Sequence, residues 1–446
     1  MKTEQMTNVA AELKNKIENK TACIGIVGMG YVGLPLAVAV FDAGYEVLGF
    51  DVDQEKIECL NNGTPYLKHL GDDFSKELAT ADRFSATDNP EALKNADIIL
   101  LCVPTPLGKH NEPDLTYVIE STRAVANVLR EGQLVVLEST TYPGTTRDEM
   151  LPILEATGLV HSRDFFVAYS PEREDPGRKS ESTQTIPKLV GGLDKISGEI
   201  AFSFYSKVIQ HAHLVSSAEV AESAKLLENI YRSVNIALVN EMKLILEKLD
   251  VDIWEVVAAA ATKPFGFQAF YPGPGLGGHC IPIDPFYLTW KAKEVGMQTR
   301  FIELAGEINQ KMPYIVVDKV ASALNDDEKA IKGAKVLVVG IAYKPDVDDV
   351  RETPAAEIIE DLCKRGANVQ YHDPQVAEFP EMRAHDIHLS SVPLTQEVVS
   401  SVDVVLIVTD HTEIDWDIIA LNAPLVVDTR NALASCNDIR ARLVKA

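Results

Sequence analysis

The sequence predicts an α/β protein in which two doubly wound domains, each built on a parallel sheet, are joined by a helical domain with one long central helix. Short apolar runs alternate with helical patterns from residue 22 to about residue 215, and again from about residue 332. Apolar runs that do not alternate with polar residues are typical of parallel strands covered on both faces. Between these stretches, residues 218–250 keep a helical period without proline or glycine. At ~1.5 Å rise per residue, that helix would be roughly 50 Å long.

In chain order, strands are predicted at residues 23–27, 46–50, 97–103, 134–137 and 165–168, with a first helix at 34–43. The second series has strands at 335–340, 368–371, 404–408 and 425–428, with a helix at 354–365. A chain of 446 residues is too long for one hydrophobic core. We therefore expect three domains, at residues 1–215, 216–328 and 329–446.

Composition limits the classes of partner. The net charge is −24, so nucleic acid and anionic membrane surfaces are not expected to bind. The six cysteines form no CxxC pair, which argues against a disulfide framework or a zinc site and is typical of a reducing cytoplasm. No apolar run approaches the ~20 residues of a membrane span.

A glycine fingerprint follows the first predicted strand and opens the first predicted helix. It consists of Gly28, Met29, Gly30, Tyr31, Val32 and Gly33. Such glycines let the backbone approach a pyrophosphate at a helix N-terminus, as in Rossmann-like domains. Asp51 ends the second strand, where a carboxylate binds ribose hydroxyls and repels a 2′-phosphate, so NAD is favoured over NADP. Lys56 can reach the same ribose, or it is a solvated surface lysine; a glycine turn that binds nothing is the alternative for the loop.

A second motif contains Cys280, in a segment dense with glycine and proline at residues 275–285. A thiol beside a nicotinamide site allows an aldehyde to be held covalently and oxidised again, which points to a four-electron dehydrogenase. Asp284 and Pro285 are interpreted as the N-cap and first residue of a helix, whose N-terminus favours a thiolate. The alternatives are a buried structural cysteine and a carboxylate that only caps.

Three further groups of residues carry candidate chemistry. Lys225 and Asn229 share one helix face, which suits oxyanion stabilisation, although such a pair is usually only surface. Two segments, 138–146 and 170–174, follow predicted strands, where open sheets bind ligands. Their hydroxyls can hold the nicotinamide side or a water, and Glu172 or Glu174 can activate a hydrolytic water; a capped turn is the alternative. In the last domain, which lacks a glycine fingerprint, Lys344 and Arg351 suit a phosphate-bearing ligand, or pair with nearby aspartates.

Taken in order, these segments resemble the nucleotide-sugar dehydrogenases of the UDP-glucose/UDP-mannose dehydrogenase superfamily, over residues 22–431. Residues 270–284 are most similar to the branch that oxidises UDP-N-acetylglucosamine for bacterial surface polysaccharides such as lipopolysaccharide. The resemblance implies NAD as cofactor, a UDP-sugar as substrate and no metal. We also expect at least a homodimer, because the apolar faces of the long helix exceed what one monomer needs.

The resemblance also implies residue roles. Cys280 would be the nucleophile, Lys225 and Asn229 would stabilise oxyanions, Asp284 would assist proton transfer, Glu172 would act as general acid/base, and Thr140 would hold a water. Cofactor contacts would come from Gly28, Met29, Gly30, Tyr31, Val32, Gly33, Asp51, Lys56, Thr105, Thr140 and Arg351. Substrate contacts would come from Glu172, Lys225, Asn229, Phe270, Tyr271, Gly273, Gly277 and Lys344.

Alternatives remain at this point. The substrate can instead be UDP-glucose or UDP-N-acetylmannosamine. A two-electron β-hydroxyacid dehydrogenase, which needs neither Cys280 nor a third domain, and a non-enzymatic NAD-bound scaffold are the other classes. The segment at 172–177 is shorter than in UDP-glucose enzymes. This leaves the role of Glu174 open and suggests room for a 2-acetamido group.

Overall fold

The computed structural model describes residues 8–67, 73–108, 111–173, 183–278, 280–382 and 385–446. The chain divides into two compact units. The first contains Met1–Glu228 and Phe286–Met297, and the second contains Asn229–Pro285 and Gln298–Ala446. The described part of the chain contains no helix long and apolar enough to cross a membrane.

The first unit is built on an eight-stranded sheet with the order β3-β2-β1-β4-β5-β6-β7-β8. Its strands are β1 (Cys23–Val27), β2 (Glu46–Phe50), β3 (Phe84–Thr87), β4 (Ile98–Leu101), β5 (Leu134–Leu137), β6 (Phe166–Tyr169), β7 (Lys188–Gly192) and β8 (Ala212–Leu214). Its first helices are α1 (Asn8–Glu18), α2 (Gly33–Asp42), α3 (Gln54–Asn62), α4 (Asp73–Thr80), α5 (Thr116–Val128), α6 (Leu151–Glu155) and α7 (Lys195–Val208). Neighbouring strands run parallel except for β6 and β7.

The next helices are α8 (Ala218–Lys248), α9 (Ile253–Ala261), α10 (Cys280–Glu294) and α11 (Arg300–Asp326). The second unit contains a parallel sheet with the order β10-β9-β11-β12-β13. Its strands are β9 (Lys335–Val339), β10 (Asn368–His372), β11 (Val404–Ile407), β12 (Leu425–Asp428) and β13 (Arg442–Lys445). Its remaining helices are α12 (Pro354–Lys364), α13 (Gln396–Ser401) and α14 (Trp416–Asn422).

Alternate residues of the central strands belong to different hydrophobic clusters. In β4, Ile98 and Leu100 join one cluster, whereas Ile99 and Leu101 join another. In the second sheet, β9 divides its apolar side chains between two clusters in the same way. Both sheets are therefore covered on both faces, which is why their strands are apolar without alternation. The predicted fold class, with two Rossmann-like domains and a helical central region, is confirmed.

Helix boundaries differ from the prediction in two informative places. The long helix ends at Lys248 rather than Asp250, which has φ +58° and so lies outside the right-handed helical region. Helix α10 begins at Cys280, so the prediction that Asp284 caps a helix starting at Pro285 was wrong. The first backbone N–H groups of a helix lack an intrahelical partner, so Pro282, at the third position, costs the first turn no hydrogen bond.

Candidate active site

Two glycines of the loop between β1 and α2, together with the first residue of α2, differ in what surrounds them. Gly28 has φ +93°, and a Cβ there would lie 2.7 Å from the backbone oxygen of Cys102. A Cβ on Gly33 would collide with the backbone oxygen of Gly28. By contrast, nothing lies within 4 Å of a Cβ built on Gly30. Gly28 and Gly33 therefore permit close backbone packing, while Gly30 leaves open the place where a pyrophosphate approaches a helix N-terminus.

A carboxylate faces this loop from the end of β2. The buried Asp51 accepts the backbone N–H of Met29 at 2.8 Å and that of Asp53 at 3.0 Å. Lys56 Nζ lies 3.4 Å from the Asp51 carboxylate, so Lys56 is directed toward the predicted ribose position rather than only into solvent. The Tyr66 hydroxyl donates to the Met29 backbone oxygen at 2.6 Å. An acceptor carboxylate beside an open glycine loop fits the adenosine half of NAD.

The remaining predicted cofactor residues lie in two places. Thr105 is buried after β4, and Thr140 is half-buried after β5, both at carboxyl ends of strands adjacent to the glycine loop. Tyr31 and Val32 belong to the loop itself. Arg351 belongs to the second unit, where its guanidinium makes a two-pronged contact with Asp349 at 2.6 and 3.0 Å. The alternative of local pairing with an aspartate is thus observed for Arg351.

The first unit brings Glu172 and Lys225 together. Lys225 Nζ, 4 % exposed on α8, lies 3.7 Å from the Glu172 carboxylate, which follows β6. Burial raises the pKa of Glu172, while the positive charge of Lys225 opposes that rise. The next residue, Arg173, makes a two-pronged contact with Glu228 of α8 at 2.6 and 3.1 Å. A carboxyl with a raised pKa beside a buried ammonium is suited to proton transfer near an anionic group.

The second unit brings Asn229 and Asp284 together. Asn229 Nδ2 donates to Asp284 Oδ2 at 2.5 Å, and both side chains are buried. Asp284 lies one helical turn after Cys280 in α10, so the two positions share a helix face. The Cys280 side chain, like Glu174, lies outside the described part of the structure. Asp284 therefore has a long-range side-chain partner in place of the predicted capping role.

The glycine segment before α10 packs on the second unit. A Cβ on Gly273 would lie 2.6 Å from Arg430 Nη1, and a Cβ on Gly277 would lie 2.6 Å from the Cβ of Tyr343. Both distances are below ordinary contact, so these glycines allow close packing. Tyr343 packs against this glycine segment, and Lys344, the predicted phosphate-binding lysine, is the next residue in the chain.

Two predicted substrate residues are aromatic. Phe270 makes an edge contact with Tyr231 at 5.7 Å between ring centroids, and Tyr271 stacks on Trp254 at 5.6 Å. Tyr271 remains 52 % exposed. Both side chains are therefore held in place by neighbouring rings of α8 and α9.

Sequence reasoning missed several residues. Arg430 lies two residues after the end of β12, and its burial lowers its pKa; the rule that ligands bind at carboxyl ends of strands would have found it. Thr141 Oγ1 is buried without a hydrogen-bond partner among the described residues. Glu222 of α8 accepts the N–H groups of Gly144 and Thr146 at 2.7 and 3.0 Å, and so ties α8 to the loop after β5. Thr141 lies in the segment 138–146, where the sequence predicts ligand-binding hydroxyls, but it was not singled out; no sequence signal marks Glu222.

The second unit also has a carboxylate after the second strand of its series. Asp373 Oδ2 accepts the backbone N–H groups of Ile341 and Ala342 at 2.7 and 3.1 Å and lies 3.1 Å from His411 Nε2. Its Oδ1 accepts two more backbone N–H groups. Both oxygens are thus engaged within the protein, and the unit lacks the glycine fingerprint.

No group of three or more histidine, cysteine, aspartate or glutamate side chains suitable for a metal ion occurs in the ranges that the structure describes. The glycine loop, Asp51 and the doubly wound sheet together define a nicotinamide-dependent dehydrogenase. The chain belongs to the UDP-glucose/GDP-mannose dehydrogenase family. The family's NAD binding domain matches residues 22–209, its central domain residues 219–311, and its UDP binding domain residues 337–435.

Individual relatives agree with this assignment. Protein CapL of Staphylococcus aureus is 40 % identical over 87 % of this chain and 90 % of its own length. The UDP-N-acetyl-D-glucosamine 6-dehydrogenase of Pseudomonas aeruginosa is 35 % identical over the same shares. The structure of the UDP-D-ManNAc dehydrogenase from Pyrococcus horikoshii matches with a TM-score of 0.85 at 32 % identity, covering 95 % of this chain and 99 % of that one.

The resemblance noted from the sequence is confirmed, and the protein is an NAD-dependent UDP-sugar dehydrogenase. Family membership sets aside the β-hydroxyacid dehydrogenase and the non-enzymatic scaffold. The relatives act on different UDP-sugars, so the choice of sugar needs a separate argument.

Proposed function

We propose that the protein oxidises C6 of UDP-N-acetylglucosamine to the uronate, in four electrons, with a thioester on Cys280 as intermediate. The observation that carries the chemistry is the hydrogen bond between the buried Asn229 and Asp284, the latter one turn after Cys280 on the same helix. The sugar is proposed from the segment at 270–284 and from the relative that acts on UDP-N-acetyl-D-glucosamine.

The cofactor's contribution, when bound, is to accept one hydride from C6 in each of two oxidations. The open position at Gly30 and the Asp51 carboxylate would hold it, with contacts from Lys56 and Thr105. We propose that Thr140 and Arg351 add the contacts that the family resemblance assigns to them. Asp51 leaves no room for a 2′-phosphate without charge repulsion, which is why NAD suits this site.

The nucleophile's part begins once C6 is an aldehyde. The Cys280 thiolate adds to the carbonyl carbon, and the new negative charge on the oxygen requires donors. Lys225 and Asn229, one turn apart on α8, supply an ammonium and an amide for this purpose. A thiol at the first position of a helix has its thiolate form favoured by the helix N-terminus.

Release of the product needs an activated water. Glu172 is the proposed general base, because burial raises its pKa above that of an ordinary glutamate and so makes its carboxylate a better proton acceptor. Asp284 would take or return a proton beside Asn229, and the hydroxyl of Thr140 or Thr141 would hold the water. The thioester C–S bond then breaks, the thiolate leaves, and the uronate carries the oxygen of that water.

The UDP part is assigned to the second unit. We propose that Lys344 and Arg430 hold the diphosphate, and that Phe270, Tyr271 and the backbone at Gly273 and Gly277 contact the nucleotide sugar. The UDP binding domain of the family covers both basic residues. We also propose the division into domains 1–215, 216–328 and 329–446, and a homodimer in which the exposed apolar face of α8 and α11 is covered by a second copy.

The test is the number of NADH molecules formed per UDP-sugar consumed. UDP-N-acetylglucosamine, UDP-N-acetylmannosamine, UDP-N-acetylgalactosamine and UDP-glucose are compared. Two NADH per UDP-N-acetylglucosamine, with slower turnover of the other three, is the expected result. The similarity to the P. horikoshii structure favours UDP-N-acetylmannosamine as second candidate. One NADH per sugar on every substrate would exclude the thioester route.

A further inference from the structure

In the first unit, a buried ion pair is connected to the backbone beside Glu172. Glu138, fully buried at the end of β5, has Oε2 2.6 Å from Lys188 Nζ at the start of β7. The Tyr205 hydroxyl of α7 donates to the other carboxylate oxygen of Glu138. Lys188 also lies with Nζ 5.2 Å from the centre of the Tyr205 ring. Every polar group of this cluster therefore has a partner inside the protein.

The pair is connected to the backbone around Glu172. Lys188 Nζ donates to the Pro171 backbone oxygen at 3.2 Å, and the Glu172 backbone N–H donates to the Glu138 backbone oxygen at 3.3 Å. A buried ion pair rarely stabilises a fold more than apolar residues of the same volume do. The Lys188 side chain supplies one of these two bonds and the Glu138 backbone the other, so the place of the pair is better explained by what it does to Glu172.

A small cavity joins the two groups. Its volume is about 20 Å³, and Glu138, Glu172, Arg173 and Lys188 are among the residues that line it. A cavity of this size with polar groups in its wall can hold one water molecule, which needs roughly 10–15 Å³. The charges of the pair act on the Glu172 carboxyl, and buried charges are weakly screened.

We propose that the Glu138–Lys188 pair is a positioning device for Glu172, which fixes its backbone and sets its ionisation with two opposing charges. The proposal rests on the proposed function, in which Glu172 acts as the general base of thioester hydrolysis. Neither member of the pair touches substrate in this scheme. Both act through Glu172.

Among the described residues, the charges that face Glu172 come from several elements. They include Lys225 of α8, Lys188 of β7, Glu138 directly after β5 and the neighbouring Arg173, itself paired with Glu228. The nearby Cys102 thiol and Tyr205 hydroxyl have pKa values raised well above their usual range by burial, so they remain uncharged. Burial raises the pKa of Glu172; Lys225 and Lys188 lower it, and Glu138 raises it.

The test uses the opposite effects of Glu138 and Lys188 on the ionisation of Glu172. Rapid mixing loads the enzyme with one UDP-sugar, and thioester hydrolysis is followed over the acidic pH range. Glu138→Gln, which preserves shape, leaves the Lys188 charge unopposed, so the midpoint of the acidic limb should fall by about one pH unit. Lys188→Met should raise it by about one unit. The double variant should return close to wild type, because each substitution removes one of two opposing charges.

A matched control exists at the opposite end of the same sheet. Asp97, just before β4, pairs with Lys16 at 2.7 Å and Arg130 at 2.8 Å. Asp97→Asn should lower the midpoint of thermal unfolding without moving the pH midpoint of hydrolysis. Lys188→Arg, which keeps the charge, should also keep the wild-type pH midpoint.

The outcomes distinguish a failure of this proposal from a failure of the proposed function. Normal stoichiometry with unmoved pH midpoints in Glu138→Gln and Lys188→Met would overturn the proposal and leave the proposed function intact. If Lys188→Met does not fold, Glu138→Gln and Lys188→Arg decide the question: the proposal requires a lowered pH midpoint in the first and an unchanged one in the second. Failure of the wild-type enzyme to form two NADH per sugar overturns the proposed function, and this proposal with it.

Discussion

At the residue scale, the buried hydroxyls of Thr141 and Thr145 offer a direct comparison. Thr141 Oγ1 has no hydrogen-bond partner in the described part of the chain, whereas the equally buried Thr145 Oγ1 donates to the Tyr142 backbone oxygen at 2.8 Å. A buried hydroxyl without a partner costs folding free energy, and one that meets a ligand recovers it on binding.

We therefore expect Thr141→Val to raise the free energy of unfolding by about 1 kcal/mol and to lower kcat by about tenfold. Chemical denaturation and steady-state NADH formation measure the two effects. Thr145→Val is the control and should lower the free energy of unfolding instead. A Thr141→Val enzyme with full activity would contradict a ligand role for this hydroxyl, and Thr140→Val would then be the variant to examine.

Asp284 provides a second prediction at this scale. Asp284→Asn can keep a hydrogen bond to Asn229 but cannot take up a proton, so kcat should fall by about 10²-fold or more. Stopped-flow NADH traces with UDP-N-acetylglucosamine measure the loss. Asp415→Asn, at the N-cap of α14, should preserve both stability and kcat, because asparagine caps a helix as well as aspartate does. An Asp284→Asn enzyme with near-normal kcat would exclude proton transfer by this carboxylate.

At the element scale, substitutions at Gly30 and Gly33, between β1 and the start of α2, test cofactor binding and backbone packing separately. Gly30→Ala adds a methyl group where nothing lies within 4 Å, so the free energy of unfolding without NAD should stay within about 0.5 kcal/mol of wild type. Gly33→Ala adds a methyl group that collides with the backbone oxygen of Gly28, so α2 must shift.

Calorimetric titration with NAD and denaturation without it distinguish the two variants. Gly30→Ala should lose NAD affinity by at least about tenfold while it keeps its stability, because the methyl group occupies the pyrophosphate's approach. Gly33→Ala should lose both NAD affinity and stability. If Gly30→Ala binds NAD normally, the pyrophosphate does not lie at this position.

The two doubly wound sheets were predictable because local patterns specify them. Buried parallel strands are apolar throughout, and the fingerprint from Gly28 to Gly33 lies within six residues. Partners distant in the chain were not predictable. Glu138 and Lys188 are 50 residues apart and Asn229 and Asp284 are 55 apart; strand order and helix packing, rather than local sequence, bring each pair together. The start of α10 was missed because Pro285, taken as a first helical residue, lies inside the helix.

At the scale of the whole molecule, the second unit has an unusual apolar surface. Large apolar side chains on α8 and α11 are half or more exposed, namely Leu238 at 52 %, Ile245 at 50 %, Leu304 at 54 % and Phe301 at 79 %. Exposed apolar groups of this kind are typical of protein interfaces. This surface is the reason for proposing a homodimer.

Leu238→Lys places a charge in that surface and should shift the protein toward monomer at micromolar concentration, because a buried unpaired charge is costly. Light scattering coupled to size-exclusion chromatography gives the mass. Val160→Lys, at a residue 43 % exposed in the first unit, should leave the mass unchanged. An unchanged mass for Leu238→Lys would place the interface elsewhere.

The second unit lacks the glycine fingerprint of the first, and this has a consequence for the order of events. We expect each chain to offer one nicotinamide site for the two oxidations proposed above. In that scheme the site would empty and refill midway through every catalytic cycle. The aldehyde-level sugar would stay bound to the protein during this exchange, and a high ratio of NADH to NAD in the cell would slow the second oxidation.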